Sequence, residues 1–178
     1  MRTKNFNKIF IVGMYGTGKS TLAKKLSKLL RIKCYDLDEL KYIRKYDKIR
    51  SVESRLKILN KITKRKSWIV EGAWTSYALD AYKRANLIVF FKIPKWILYK
   101  RILLRYFKRK MENKTYVNNN LKNTIQIMKK VGKYYKNSED YLSLETHQRL
   151  IDKHAKRVLV LRNNKEVKRF VEEIKNEK

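Results

Sequence analysis

Acidic residues are scarce in this chain of 178 residues: 16 Asp and Glu stand against 46 Lys and Arg, a formal net charge of +30 at pH 7. That imbalance excludes a charge-balanced surface and favours polyanions and anionic substrates as partners. It also loads the folded state with self-repulsion, so binding a nucleotide or polyanion should stabilise the fold. A single cysteine, Cys34, excludes a disulfide framework, and with only two histidines the chain has too few ligands for a zinc site. Cys34 reads as an ordinary buried strand residue. His147 and His154, seven apart, read as two surface histidines rather than a metal pair. One proline, Pro94, and five glycines leave no Pro/Gly/Ser-rich linker, and no repeat divides the sequence. One α/β domain over residues 1–178 is expected. No apolar run approaches the ~18 residues that a membrane-crossing helix needs. The start, Met1 to Lys8, is polar and unlike a signal peptide, which points to a reducing, cytoplasmic location.

Three of the scarce glycines stand together. Gly13-Met14-Tyr15-Gly16-Thr17-Gly18-Lys19-Ser20-Thr21 fits G-x-x-x-x-G-K-[ST], the phosphate-cradling P-loop. Ile9 to Val12 before it read as a short buried strand. Lys19 to Leu30 after it read as a helix with Leu22, Leu26, Leu29 and Leu30 on one side. The loop must aim several backbone N–H groups at one point, and glycine lets the backbone turn that tightly. The helix adds the positive end of its dipole there. Tyr15 and Thr17 belong to the same cradle; Lys19 would reach the outer phosphates and Ser20 would hold Mg²⁺.

Five apolar runs read as strands: Ile9 to Val12, Ile32 to Tyr35, Trp68 to Val70, Leu87 to Phe91 and Val158 to Leu161. Each is nearly continuous, as expected for a strand buried on both faces of a parallel sheet. Helical patterns alternate with them: Lys19 to Leu30, Ser51 to Lys66 with Val52, Leu56, Leu59 and Ile62 inward, Lys95 to Lys110, and Lys165 to Lys175. Between Met111 and Lys156, Asn118-Asn119-Asn120 signals a loop, followed by helices around Leu121 to Tyr135 and Tyr141 to His154.

In such a sheet, chemistry collects at the carboxyl ends of the strands. Asp36 and Asp38 follow the second strand and Glu71 ends the third. Carboxylates there can orient the waters of a nucleotide-bound Mg²⁺, and one can take the proton of an acceptor hydroxyl. Arg101 and Arg105 share a helix face at i, i+4, a place from which arginines can bridge a moving phosphoryl group. From Lys100 to Lys136 there are twelve basic residues and one acid, Glu112, with Tyr99, Tyr106, Phe107, Tyr116, Tyr134 and Tyr135 interleaved. Basic and aromatic residues in that mixture suit a nucleic-acid strand. Arg162-Asn163-Asn164, after the last strand, is a candidate part of the base pocket.

With these residues in place, the chain resembles the adenylate kinase-like P-loop kinases, from Ile9 to about Lys110 and again from Val158 to Phe170. Within that branch it is most similar to the DNA topology modulation protein family. That pattern carries an acid at the position of Asp38, an apolar strand ending in acid-Gly where Trp68 to Gly72 stands, and a basic helix like Ile93 to Arg105. The Asp36-Leu37-Asp38 sequence also resembles shikimate kinase, in which such acids serve the metal and the acceptor hydroxyl. The resemblance implies a three-layer P-loop NTPase fold: a five-stranded parallel sheet of order 2-3-1-4-5, helices on both faces, and a helical lid at about 100–140. It implies an ATP- and Mg²⁺-dependent phosphotransferase acting on a nucleotide, a nucleoside or another small hydroxyl compound. Lys19, Asp38, Arg101 and Arg105 would be catalytic, with Ser20, Asp36 and Glu71 around the metal and the acceptor between Lys41 to Leu59 and the sheet. Nucleoside monophosphate kinases place Pro-Arg shortly after the acid-Gly to hold the acceptor phosphate; Ala73-Trp74-Thr75 stands here instead. The alternative is a nucleic-acid-binding P-loop ATPase that uses its basic surface.

Overall fold

The computed structural model describes residues 6–43, 48–75, 77–112, 120–136 and 142–176. Five parallel strands form one sheet: β1 (Lys8–Gly13), β2 (Cys34–Asp36), β3 (Trp68–Gly72), β4 (Leu87–Phe91) and β5 (Val158–Leu161). Their order is β2-β3-β1-β4-β5. The helices are α1 (Lys19–Leu30), α2 (Leu37–Lys41), α3 (Val52–Thr63), α4 (Leu79–Arg84), α5 (Lys95–Met111), α6 (Leu121–Tyr134), α7 (Leu144–His154) and α8 (Asn164–Asn176).

The central strands are buried on both faces because successive side chains point to opposite sides. Ile9 and Ile11 of β1 join Leu22 and Leu26 of α1, Val89 of β4 and Phe170 of α8 in one core. Phe10 and Val12 join Leu59 of α3, Trp68 and Val70 of β3, Tyr82 of α4 and Ile151 of α7 in the other. Strands β1, β3 and β4 thus carry the continuous apolar sequence expected of them. The edge strands do not fully share that burial. Every residue of β2, Cys34 included, is half-buried, and Val158 of β5 is exposed, because an edge strand is covered by a helix on only part of its length.

Three differences from the sequence reading have local causes. Helices α2 and α4, of 5 and 6 residues, are too short to show a 3.6-residue period. In α3, Leu59 and Ile62 are buried but Val52 and Leu56 are exposed, since it is the second half of this helix that joins the core around Trp68 and Val70. Tyr141, given as the start of a helix, lies outside the described residues; α7 begins at Leu144 with Ser143 capping it through the Thr146 amide at 3.0 Å. Asn118 and Asn119 also lie outside them. Asn120 caps α6, its side chain accepting from the Asn123 amide at 2.7 Å. The base of the basic α5 and α6 region is core, with Leu98, Ile102, Val131 and Tyr134 buried.

Gly72 marks where β3 meets α2. A Cβ there would lie 2.8 Å from the Cβ of Leu37, which is fully buried. Leu37 cannot move away without displacing α2, and with it Asp38. Gly72→Ala is therefore expected to cost about 1–3 kcal/mol by overpacking, which for a domain of this size lowers the thermal midpoint by roughly 2–10 °C. Differential scanning calorimetry checks it; a midpoint within a degree of the parent refutes the close approach.

Candidate functional site

The loop between β1 and α1 makes an anion cradle from backbone alone. Gly16 and Gly18 have φ values of 80° and 99°, which side chains disfavour. Gly18 is the N-cap of α1, no side chain caps that helix, and its first turn holds no acid. Its amides and dipole are thus presented to a ligand. The loop is braced from beneath. The Thr17 hydroxyl donates to the Met14 carbonyl at 2.8 Å, and Lys19 Nζ donates to the same oxygen at 3.2 Å. Burial lowers the pKa of Lys19, while Glu71, Asp38 and Asp36 hold its charge against that and Arg105 works with the burial.

One cavity of about 700 Å³ opens on this cradle. Tyr15, Gly16, Gly18, Lys19, Ser20 and Thr21 line it, together with Asp38, Glu71, Arg101 and Arg105. The structure thus brings together most of the residues singled out from sequence. Asp36 does not line the cavity. It is the N-cap of α2, its Oδ1 accepting from the Asp38 amide at 2.8 Å. Burial, then the nearby Glu71, raise its pKa to about 6, and the bond from the Asp38 amide offsets this only in part.

Arg101 has a different setting from the one expected. Its guanidinium donates to the carbonyls of Gly16 at 3.3 Å and Thr17 at 3.0 Å, and to Asn164 Oδ1 at 2.7 Å. It ties the cradle to the start of α8. Arg162 and Asn163 are engaged with Glu166, at 2.7 Å and 2.8 Å, and residues 162–164 do not line the cavity.

Lys41, the start of the segment expected to border the acceptor, lines the cavity. Other lining residues were not singled out from sequence: Arg109 and Lys130 add cations, and Trp74 sets the carboxylate, its indole N–H donating to Asp38 Oδ1 at 2.6 Å. Lys41 Nζ lies 4.6 Å from the centre of the Trp74 ring. Arg109 was within reach of sequence, four residues beyond Arg105 on the same helix face. Trp74 had no local signal.

The segment after β3 is held from the other side by a histidine expected on the surface. His147 is fully buried, because it lies four residues before Ile151 on the inward face of α7. Its Nε2 meets the Ala73 carbonyl at 3.0 Å and its Nδ1 the Tyr134 hydroxyl at 2.7 Å. A carbonyl only accepts, so Nε2 carries the proton and Nδ1 accepts from Tyr134. Burial lowers the His147 pKa to about 4. Two of the aromatics proposed for stacking are thereby assigned to structure: Tyr134 is buried, and Tyr135 donates to the Ile93 carbonyl.

The residues present fit a nucleotide with Mg²⁺. The uncapped helix end and Lys19 suit phosphates, and Ser20, Asp38 and Glu71 offer oxygens on one cavity. No cluster of three or more His, Cys, Asp or Glu suited to a metal occurs among the described residues.

The pattern of the family described as "AAA domain" matches residues 9–129. The uncharacterized protein YqaC of Bacillus subtilis is 35% identical over 102 residues, 57% of each chain. The chain therefore spans little more than half the length of that relative. A shikimate kinase of Clostridium botulinum is 31% identical over 144 residues, covering 68% of this chain and 82% of that one. Among solved structures, a shikimate kinase from Bacteroides thetaiotaomicron superposes with a TM-score of 0.60 at 15% identity, over 97% of this chain and 98% of that one. At that identity the likeness establishes the fold. No described helix is long and apolar enough to cross a membrane.

The Asp36 pKa of about 6 lies above its ordinary 3.8, so between those values the fold holds a proton that the unfolded chain has released. Its stabilising contribution is full below the lower value and is lost as pH rises through about 6. His147, lowered from 6.5 to about 4, acts in the opposite sense: its contribution is lost as pH falls through that window. Asp36→Asn keeps the capping acceptor and removes only the carboxylate titration. Without nucleotide, the variant should melt above the parent at pH 7 and converge with it near pH 4. Thermal midpoints measured across that range test this; parallel curves refute the raised pKa.

Proposed function

The chain belongs to the AAA domain family of P-loop proteins, and on that premise we propose that it is an ATP- and Mg²⁺-dependent phosphotransferase whose acceptor is a small hydroxyl compound. The observation that carries this reading is the single cavity shared by the phosphate cradle, Asp38 and Arg105. Its volume of about 700 Å³ falls within the range of roughly 300–1,000 Å³ typical of small-molecule sites. The similarity to a shikimate kinase of Clostridium botulinum supports a small-molecule acceptor.

Bound Mg-ATP would supply the transferable phosphoryl group. The chain's own residues do the rest. The amides of residues 13 to 21 and Lys19 would hold the phosphates, and Ser20 and Glu71, which line the same cavity, would supply oxygens to the metal or its waters. Trp74 donates to Asp38 Oδ1; Oδ2 would accept the hydrogen bond of the acceptor hydroxyl and take its proton as that oxygen bonds to the γ-phosphorus and ADP departs with the electron pair of the broken bond. Arg101 holds the cradle's carbonyls in place. Arg105 and Arg109 face the cavity, where guanidinium groups stabilise the charge spread over a phosphoryl group in transit. With Ala73-Trp74-Thr75 in place of Pro-Arg, a monophosphate acceptor lacks its usual arginine. That favours an acceptor without a phosphate of its own.

The nucleic-acid-binding ATPase remains the other reading, and one experiment separates the two. Radiolabelled ATP is incubated with a panel of hydroxy acids, sugars and nucleosides, and separately with single-stranded DNA and RNA. Label transferred to a small acceptor supports the kinase; nucleic-acid-stimulated ADP release without transfer overturns it. On the acceptor found, Asp38→Asn should lower turnover by about 10²–10⁴-fold with ATP affinity retained. If affinity falls in step, Asp38 serves the metal. Lys19→Ala should remove most of the rise in melting temperature that Mg-ATP gives the parent. An undiminished rise refutes the cradle assignment.

A further inference from the structure

Helix α5 carries a second functional face, turned away from the cavity. Its 17 residues include no acid. Leu98 and Ile102 are buried in the core, while Arg101, Arg105 and Arg109 line the cavity. On the remaining side, Trp96, Leu104, Phe107 and Met111 are exposed, at 65%, 57%, 55% and 82%. With Lys100 between them, their spacing (96, 100, 104, 107, 111) follows the i+4, i+3 rhythm of one helical stripe. Lys100 lies in the stripe and Lys108 beside it. Helix α6 packs on α5 and repeats the arrangement: Leu121 and Ile125 are exposed at i, i+4, with Lys122 and Lys129 also exposed.

We propose that the exposed apolar stripe of α5, flanked by lysines, docks the protein on an anionic lipid bilayer surface. A surface helix with Trp, Leu and Phe on one side and lysines around them is built to lie in the interface, apolar side chains below the headgroups and ammonium groups among them. Charge decides between occupants. A second copy would bring the lysines of one stripe against those of the other within a chain of net charge +30, which repels. A nucleic-acid strand would satisfy the lysines but leave Leu104 and Met111 in water. An anionic bilayer takes up both sets of groups. Each lysine near such a surface adds attraction that falls off within a Debye length. No described helix spans a membrane, so the association is peripheral and reversible. It does not depend on the phosphotransferase reading.

The test uses the full chain and two kinds of vesicle, one of phosphatidylcholine alone and one with a third phosphatidylglycerol. The parent should co-sediment with the anionic vesicles and stay in solution with the neutral ones. Leu104→Ser combined with Phe107→Ser should weaken partition by roughly tenfold or more. Both side chains are exposed, so the Mg-ATP-dependent rise in melting temperature should be unchanged, which shows that the variant is folded. Trp96→Ser serves as the second variant and should weaken partition in the same direction. Equal partition of parent and variants would reduce the effect to bulk charge and overturn the proposal. So would oligonucleotide binding that the serine variants weaken as much as they weaken partition, or light scattering that shows a dimer lost in those variants.

Discussion

The uncapped amino end of α1 is the constraint around which the molecule is arranged. A helix leaves its first amides without intrahelical partners, and most helices answer with a side-chain cap; Ser51, Asn120 and Ser143 do this elsewhere in the chain. At α1 the cap is Gly18, which offers no side-chain acceptor. The loop before it has its own internal braces in Thr17, Lys19 and Arg101, which bind the carbonyls of Met14, Gly16 and Thr17. With these acceptors engaged and the first amides of α1 left without a side-chain cap, the loop is complementary to an anion before one arrives. Preorganisation of this kind avoids a reorganisation cost at the moment of binding.

The acidic side of the cavity is assembled from segments distant in sequence, joined by the pairing of β2 with β3 and by side-chain hydrogen bonds. Asp36 spans the turn from β2 to α2 and presents Asp38. Trp74, from the segment after β3, fixes the Asp38 carboxylate, while His147 and Tyr134 fix that segment through the Ala73 carbonyl. This connects α6 and α7, both outside the sheet, to the carboxylate through two hydrogen-bonded groups and a short stretch of backbone. A neutral His147 completes this arrangement, Nε2 donating to the Ala73 carbonyl and Nδ1 accepting from Tyr134. Burial secures that state by lowering its pKa to about 4, and a chain so rich in cations gives no incentive to protonate it.

What could be read from the sequence follows the range of the interactions. The P-loop was legible because its chemistry lies within nine consecutive residues, and the strands because burial on both faces leaves an unbroken apolar run. Strand order came from family resemblance, since periodicity carries no information on which strands are neighbours. The carboxylates Asp38 and Glu71 were found by their position at strand ends. Trp74 was not, because its partner lies 36 residues away in sequence. His147 was placed on the surface, because a histidine on a mixed helix gives no local sign of a carbonyl 74 residues distant. Arg101 was identified as important and its setting was not. A cation four residues from another on a helix reads the same whether it faces a ligand or a backbone carbonyl.

Helix α5 shows how one period can divide a large charge between two uses. At i, i+4 and i+8, Arg101, Arg105 and Arg109 turn toward the cavity. At 100 and 108, lysines turn with Trp96, Leu104 and Phe107 toward solvent. The division follows the chemistry of the two cations. Guanidinium is planar, weakly hydrated and donates in a fixed fork, which suits backbone carbonyls and phosphate oxygens in a partly desolvated cleft. Ammonium is a compact, strongly hydrated charge on a flexible stem, which suits a wet surface where its methylenes can lie along apolar neighbours. Interchanging the two sets would leave the composition and net charge untouched. It would deprive the Gly16 and Thr17 carbonyls of the guanidinium that binds both and place rigid forks on a wet surface. The positive charge of this helix therefore has two separate roles, and the residue type at each position records which role it serves.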